Sequence, residues 1–309
     1  MRTANASTRL LLAAVGIFLS AFAWQQPAAA SILYVDNVRT CAALVPCYST
    51  IMDAVDAAVP GDTISVFPGV YHESVIFAAG KDSIILTAQL PNNSAVIAPP
   101  LGAGNAAVTI FASNVQLMNL LLEADGAYGA YVVLDLGASG TIIYDNVIRS
   151  IAPSYAGIGM FSTNSIVRQN TLIGGGIFVS GTTGVLVAGN LVTNAPIDGI
   201  SFTNGQTNKI QNNVVRSSAR YGIVLDGDVE VGNIVQDNVV TASGGDGILL
   251  YGARAGQPDS QFGKNIVRRN TSVENALCDI NDNWTAPSPV QPNIWNANRF
   301  FTKCGAATN

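Results

Sequence analysis

The sequence predicts an all-β solenoid, a single-stranded parallel β-helix with an N-terminal capping helix, and three observations predict it. An Asn recurs in one local context through the second half of the chain, and a Gly-Ile pair recurs between those Asn. Charged residues make up only 11% of the 309, against about 25% in an average globular protein. Such a chain has little of the solvated helix surface that charges decorate, and its abundant Gly and Asn with few Trp, Met and His point to strands and turns.

The first thirty residues read as an export signal. Arg2 and Arg9 form a positive start, an apolar run extends from Leu10 to Ala23, and Ala28-Ala29-Ala30 offers a small-residue cleavage site ahead of Ser31. That run falls short of the roughly 18 residues a membrane span needs, and no later stretch is long enough, so no membrane span is expected. Removing residues 1–30 takes away two of the 15 basic residues and none of the 20 acidic ones, leaving 13 against 20 and a net charge of −7. An acidic chain of this kind excludes nucleic acid as a partner. It would hold a polyanion only with a cation such as Ca²⁺ between acid and acid.

Four Cys in an exported chain read as two disulfides. Cys41 and Cys47 are neighbours before the first regular element, and Cys278 and Cys304 bracket the tail, so 41–47 and 278–304 is the expected pairing. Next comes an amphipathic helix in Tyr48–Val59, with Ile51, Val55, Ala58 and Val59 on one face, Ser49 or Thr50 as its cap, and Pro60-Gly61-Asp62 as its stop. A helix there would cover apolar side chains and strand edges at the open end of a coil. Strands follow at Thr63–Phe67, Ser74–Phe77, Ser83–Thr87 and Ala95–Ile97.

The recurring Asn are Asn146, Asn170, Asn190, Asn213, Asn238 and Asn270, separated by 24, 20, 23, 25 and 32 residues. Three residues before each stands an aliphatic residue, Ile143, Val167, Val187, Ile210, Val235 or Val267, followed by Tyr144, Arg168, Ala188, Gln211, Gln236 or Arg268. Such alternation is that of a strand with one buried face. A second strand begins at Gly157, Gly176, Gly199, Gly222 and Gly247, each followed by Ile and, two residues later, by another apolar residue. One repeat is therefore one coil, with strands stacked about 4.8 Å apart. The Asn column is expected to be a structural ladder, because Asn tolerates the left-handed turn conformation and its amide can bond the equivalent amide one coil away. Residues 31–62 then form the N-terminal cap, 63–275 the coils and 276–309 the C-terminal cap.

Three runs carry a family resemblance: Tyr48–Ala58, then Pro60-Gly61-Asp62-Thr63-Ile64, then Pro68-Gly69-Val70-Tyr71-His72-Glu73. With the Asn repeats and the tail Trp295–Phe300, they resemble the pectin-lyase-like right-handed parallel β-helix proteins over essentially the whole chain after residue 30. The resemblance implies that fold; a polysaccharide or other glycan as partner is suggested by the outer-face residues given below. The resemblance does not choose among lyases, hydrolases, epimerases, esterases and non-catalytic members. Ile197-Asp198-Gly199-Ile200 looks like the end of the polygalacturonase Asn-Thr-Asp-Gly motif, but Arg220-Tyr221 stands one coil later where that family has paired Asp. Its His motif is absent too, since His72 is the only His and sits in a turn. The methylesterase and alginate-epimerase motifs are likewise missing.

The alternation places Asp198, Tyr221, Asp226, Asp246 and Tyr251 on one outer sheet face, with Arg220 and Arg254 at its edge. Tyr221, Asp226 and Tyr251 are candidate carbohydrate-binding residues. Asp198, Arg220 and Asp246 are candidate catalytic residues, the two Asp as acid and base of a glycosidase or Arg220 as the base of a Ca²⁺-dependent lyase. No cofactor is evident otherwise, and no metal-ligand spacing occurs. The expected function is that of an exported, monomeric, secreted or periplasmic protein that binds an extracellular or cell-wall polysaccharide. Alternatives are cleavage of that polymer on the Asp198–Asp246 face, or a non-catalytic surface or adhesion role. Arg168 and Arg268 are expected on the solvated surface, and Asn92-Asn93-Ser94 and Asn283-Trp284-Thr285 match glycosylation sequons.

Overall fold

A computed structural model describes residues 30–307 except 92, 103, 125–130, 138, 152–155, 253–262 and 284–291. The leader 1–29, Arg254, and parts of both sequons therefore lie outside the described residues. Within them the chain winds through three parallel sheets of twelve, nine and ten strands, each strand pairing with its counterpart one coil away.

Inward columns build the core. In the first sheet Leu117, Ile143, Val167, Val187, Ile210, Val235, Val267 and Trp295 are register partners in turn, and all are buried. Stacking β-branched side chains on their own kind fills each layer, and every such burial is worth about 1.5–3 kcal/mol before entropy is charged. The third sheet repeats this with Ile158, Ile177, Ile200, Ile223, Ile248 and Ile280.

Each coil carries a third strand where the sequence pattern showed two. It follows the ladder Asn at Thr171–Ile173, Leu191–Thr193, Val214–Arg216 and Val239–Thr241. Only one residue of each points inward (Leu172, Val192, Val215, Val240), so no alternation is visible in the sequence.

The Asn ladder is continuous and extends to Asn298. Asn213 is typical: its Oδ1 accepts from Asn190 N and Nδ2 at 2.9 and 3.0 Å, and its Nδ2 donates to Val187 O and Asn238 Oδ1 at 3.0 Å each. The left-handed conformation falls on the residue before the ladder Asn, not on the Asn itself. Asp145, Gln169, Gly189, Asn212, Asp237 and Arg269 have φ between 53° and 64°. The ladder position thus selects Asn for its amide, and the turn geometry is left to a neighbour of almost any type. A second ladder runs five residues upstream, with Asn208 N donating to Asn233 Oδ1, Asn233 N to Asn265 Oδ1 and Asn265 N to Asn293 Oδ1.

The cap helix spans Ile51–Ala57, and Thr50 Oγ1 accepts from Asp53 N at 3.0 Å. Glu73 accepts from Ile51 N and Met52 N at 2.8 and 2.9 Å, placing a carboxylate at the positive helix end. Ile51, Ala54 and Val55 face the core. Val59, expected on that face, is exposed because the helix stops before it and Val59 N turns to Asp62. Ile32–Val35 already pairs with Thr63–Val66, and the tail adds strands at Ile280–Asp282, Ile294–Asn296 and Lys303–Gly305. Disulfides join Cys41 to Cys47 and Cys278 to Cys304, as paired from the sequence.

The recurring Gly before Ile is a matter of space. A Cβ on Gly222 would lie 2.2 Å from Val240 Cγ1 and 2.6 Å from Gly247 O, at the corner where the second sheet turns into the third. Gly222→Ala is expected to cost about 1–3 kcal/mol through overpacking, read as a lower urea midpoint at unchanged m-value.

Candidate functional site

The outer face of the third sheet carries a groove of about 360 Å³. Two outward columns supply its floor. One runs Gly159, Phe178, Ser201; the other runs Ser180, Thr203, Asp226, Tyr251. At one end an aromatic platform forms because Gly159 has no side chain: a Cβ there would lie 2.6 Å from the Tyr131 ring, which rests in its place. Tyr131 stacks on Phe178 with centroids 6.4 Å apart and meets Phe161 edge-on at 6.2 Å.

At the other end lies an ion pair. Arg220 Nε and Nη2 donate to Asp198 Oδ1 and Oδ2 at 2.9 and 2.6 Å, and Tyr221 N also donates to Asp198 Oδ1 at 3.2 Å. The guanidinium lies over the Tyr221 ring at 4.9 Å. Hydrogen bonding to Asp198 raises the Arg220 pKa above its ordinary value, which fixes it as a cation and works against the proton-abstracting role a lyase would need. Asp226 is half-buried, and desolvation raises its carboxyl above the usual range, with Arg220 opposing the shift. Burial likewise raises the phenol of Tyr221.

Asp198, Arg220 and Asp226 thus line one groove, with Tyr221 beneath the guanidinium and Tyr251 exposed beside Asp226. Asp246 does not join them. It is 4% exposed and accepts from Cys278 N and Asn281 Nδ2 at 3.0 Å each, so its carboxylate is spent on the C-terminal coil. Tyr131, Phe178 and Ser201 were missed by the sequence pattern, although Phe178 and Ser201 sit two residues after the Gly of their repeats and the alternation points that position outward. His72 is exposed, its Nδ1 3.3 Å from Ala98 O. Arg168 covers the Tyr144 ring and Arg268 donates to Gln236. Among the described residues no group of three or more His, Cys, Asp or Glu could hold a metal ion, and no helix is long and apolar enough to cross a membrane.

Solved structures with the same winding include a pectate lyase, Pel9A, at 12% identity, covering 90% of this chain and 81% of the lyase with a TM-score of 0.62. An alginate lyase from Paenibacillus sp. aligns at 14% identity over 89% of this chain and 99% of the other, TM-score 0.56. The Dettilon tailspike protein aligns at 13% identity and TM-score 0.57 over 81% of this chain, which spans 57% of the tailspike. No curated protein matches the chain in sequence. At these identities the likeness establishes the winding and not the chemistry. A family model described as the right handed beta helix region matches residues 102–272, the stretch that holds the groove and all but the last rung of each Asn ladder, and the chain belongs to that family.

Proposed function

We propose that the protein binds a polysaccharide along the outer face of its third sheet. The observation that carries this reading is one groove combining the Tyr131–Phe178 platform with the Arg220–Asp198 pair and Asp226. Aromatic rings stack on the apolar faces of sugars, while fixed donors and acceptors meet their hydroxyls. The pectate lyase and alginate lyase among the structural neighbours support a carbohydrate role in general. Two disulfides support an oxidising compartment, in keeping with residues 1–30 as an export leader.

Calorimetric titration of residues 31–309 with a panel of plant, algal and bacterial polysaccharides tests the reading. Phe178→Ala is expected to weaken binding about tenfold, the loss of roughly 1.4 kcal/mol of stacking and burial. Undiminished binding by that variant would refute the groove, and silence across the panel would leave a non-catalytic surface role.

A second reading, cleavage of the bound polymer, is favoured by Asp226: a carboxyl with raised pKa beside an ionised pair is the arrangement of a general acid. New reducing ends with no unsaturated product would mark hydrolysis. Asp226→Asn is then expected to lower turnover about 10²–10⁴-fold while binding persists. Equal turnover in the variant would remove Asp226 from the chemistry.

A further inference from the structure

We infer that the polymer is an uncharged polysaccharide lying along the coil axis, not a uronate chain; the inference rests on the carbohydrate reading above and names the substrate class of the same groove. Arg220 is the only cation among the described residues lining the groove, and its charge is already answered. Two of its N–H donors are taken by both oxygens of Asp198, and its face lies on Tyr221. A sugar carboxylate seeking the bidentate Nε–Nη2 edge of Arg220 would have to displace Asp198, a carboxylate of the same chemistry that is held in place by Tyr221 N. The donors that remain on the guanidinium suit hydroxyl oxygens, which ask for no net charge.

Asp226 strengthens the discrimination in either protonation state. Ionised, it leaves the groove with two carboxylates against one guanidinium and repels an anion. Protonated, it leaves a neutral groove with no unpaired cation to attract one. The chain as a whole, with 20 acidic against 15 basic residues, adds a long-range field of the same sign.

The path of the polymer is marked by what continues past the platform. Phe111, Leu136 and Phe161 directly follow Ile110, Asp135 and Met160, which pair coil on coil in the third sheet. They form one outward column with relative exposures of 45%, 43% and 36%. Successive members are one strand spacing, about 4.8 Å, apart, close to the length of one hexose unit in an extended chain. Ring faces of a neutral glycan can lie on this column. A uronate polymer would bring a carboxylate against the apolar strip at every unit and lose its hydration there.

The test is titration calorimetry of the full chain from residue 31 with β-1,4-galactan, arabinan and mixed-linkage glucan on one side and oligogalacturonate and oligoalginate on the other, at low and high NaCl. Expected is binding of at least one neutral polymer with a Kd insensitive to salt, and none of either uronate. Asp198→Asn frees Arg220 and is expected to bring oligogalacturonate binding, undetected in wild type, into the measurable range, a gain of about tenfold or more over the detection limit. Phe111→Ala, at an exposed position, is expected to weaken the neutral polymer severalfold with unchanged thermal stability, and it carries the test should the Asp198 variant fail to fold. Tight uronate binding by wild type would overturn the inference and leave the carbohydrate reading standing. A folded Asp198→Asn with no uronate gain would overturn the role of the ion pair, and hence the inference. Silence toward every polymer would remove both.

Discussion

Asn213→Ala is expected to lower the unfolding free energy by about 3–5 kcal/mol, enough to threaten the fold of a protein with the usual margin of about 5–15 kcal/mol. The side chain is 1% exposed. Its loss leaves Asn190 N without its acceptor, and deprives Asn190 Nδ2 and Val187 O of one partner each. Each buried polar group so orphaned costs about 1–3 kcal/mol. Because a solenoid is coupled only through neighbouring coils, the damage is also expected to change cooperativity. Urea unfolding followed by circular dichroism should show an earlier and broader transition, with the coils on the two sides of residue 213 melting apart. The exposed Arg216→Ala, one strand further on, should stay within about 0.5 kcal/mol of wild type. Equal losses in the two variants would refute the ladder as a main source of stability.

The second large effect is on pH dependence. Glu230 is fully buried at the corner between the third and first sheets, where its oxygens accept from Gly205 N and Asn233 Nδ2, both at 2.8 Å. Burial outweighs these two bonds and pushes its carboxyl up to about 9 from 4.5. With the folded pKa above the unfolded one, the native state holds a proton that the unfolded chain gives up. The stability this group contributes is complete below about 4.5 and is lost as pH rises toward 9. The limiting slope is about 1.4 kcal/mol per pH unit, or roughly 4 kcal/mol over three units between those values. Desolvated Asp135 and Asp282 shift in the same direction. Asp36 and Asp279 are held below the usual range by their hydrogen bonds and oppose them on the acid side. The difference between wild type and Glu230→Gln isolates the one group. Gln sets an NH₂ against a neighbouring N–H donor, a cost that does not vary with pH, and the part of the slope above about pH 5 that Glu230 supplies should be missing, so the gap between the two proteins narrows as pH rises. Parallel slopes in the two proteins would show that Glu230 does not carry the proton.

What the sequence made legible was what every coil must repeat. Asn213 and its counterparts recur because an amide ladder needs the same residue on each rung, and the Gly-Ile pair recurs because the corner at Gly222 has no room for a Cβ. The second ladder escaped notice because its early rungs are Thr141, Ser165 and Val185, so the Asn pattern starts only at Asn208. The third strand escaped because a segment with one inward residue between two turns has no period. The groove is harder still, since its chemistry sits in single coils. Asp198 and Asp246 stand in the same Asp-Gly-Ile context, yet one meets Arg220 on the next coil and the other meets Cys278 N and Asn281. Which partner waits one coil away depends on winding length, and that is set by the whole fold.

The coils do not share length evenly among their corners. Between the first and second sheets the connection is two residues in coil after coil, as at 145–146, 169–170, 212–213 and 237–238. Between the third and first sheets, among the fully described connections, it runs from five residues, 204–208, to seven, 227–233. Closing a longer loop costs only about 0.6 kcal/mol per doubling, so this corner, like the one between the second and third sheets, can take up insertions while the Asn213 ladder keeps its rungs. It is also the corner that follows Thr203, Asp226 and Tyr251 on the groove face. Inheritance can therefore lengthen, shorten or exchange the border of the binding surface as a separate cassette, and a lineage can try new ligands without renegotiating the scaffold.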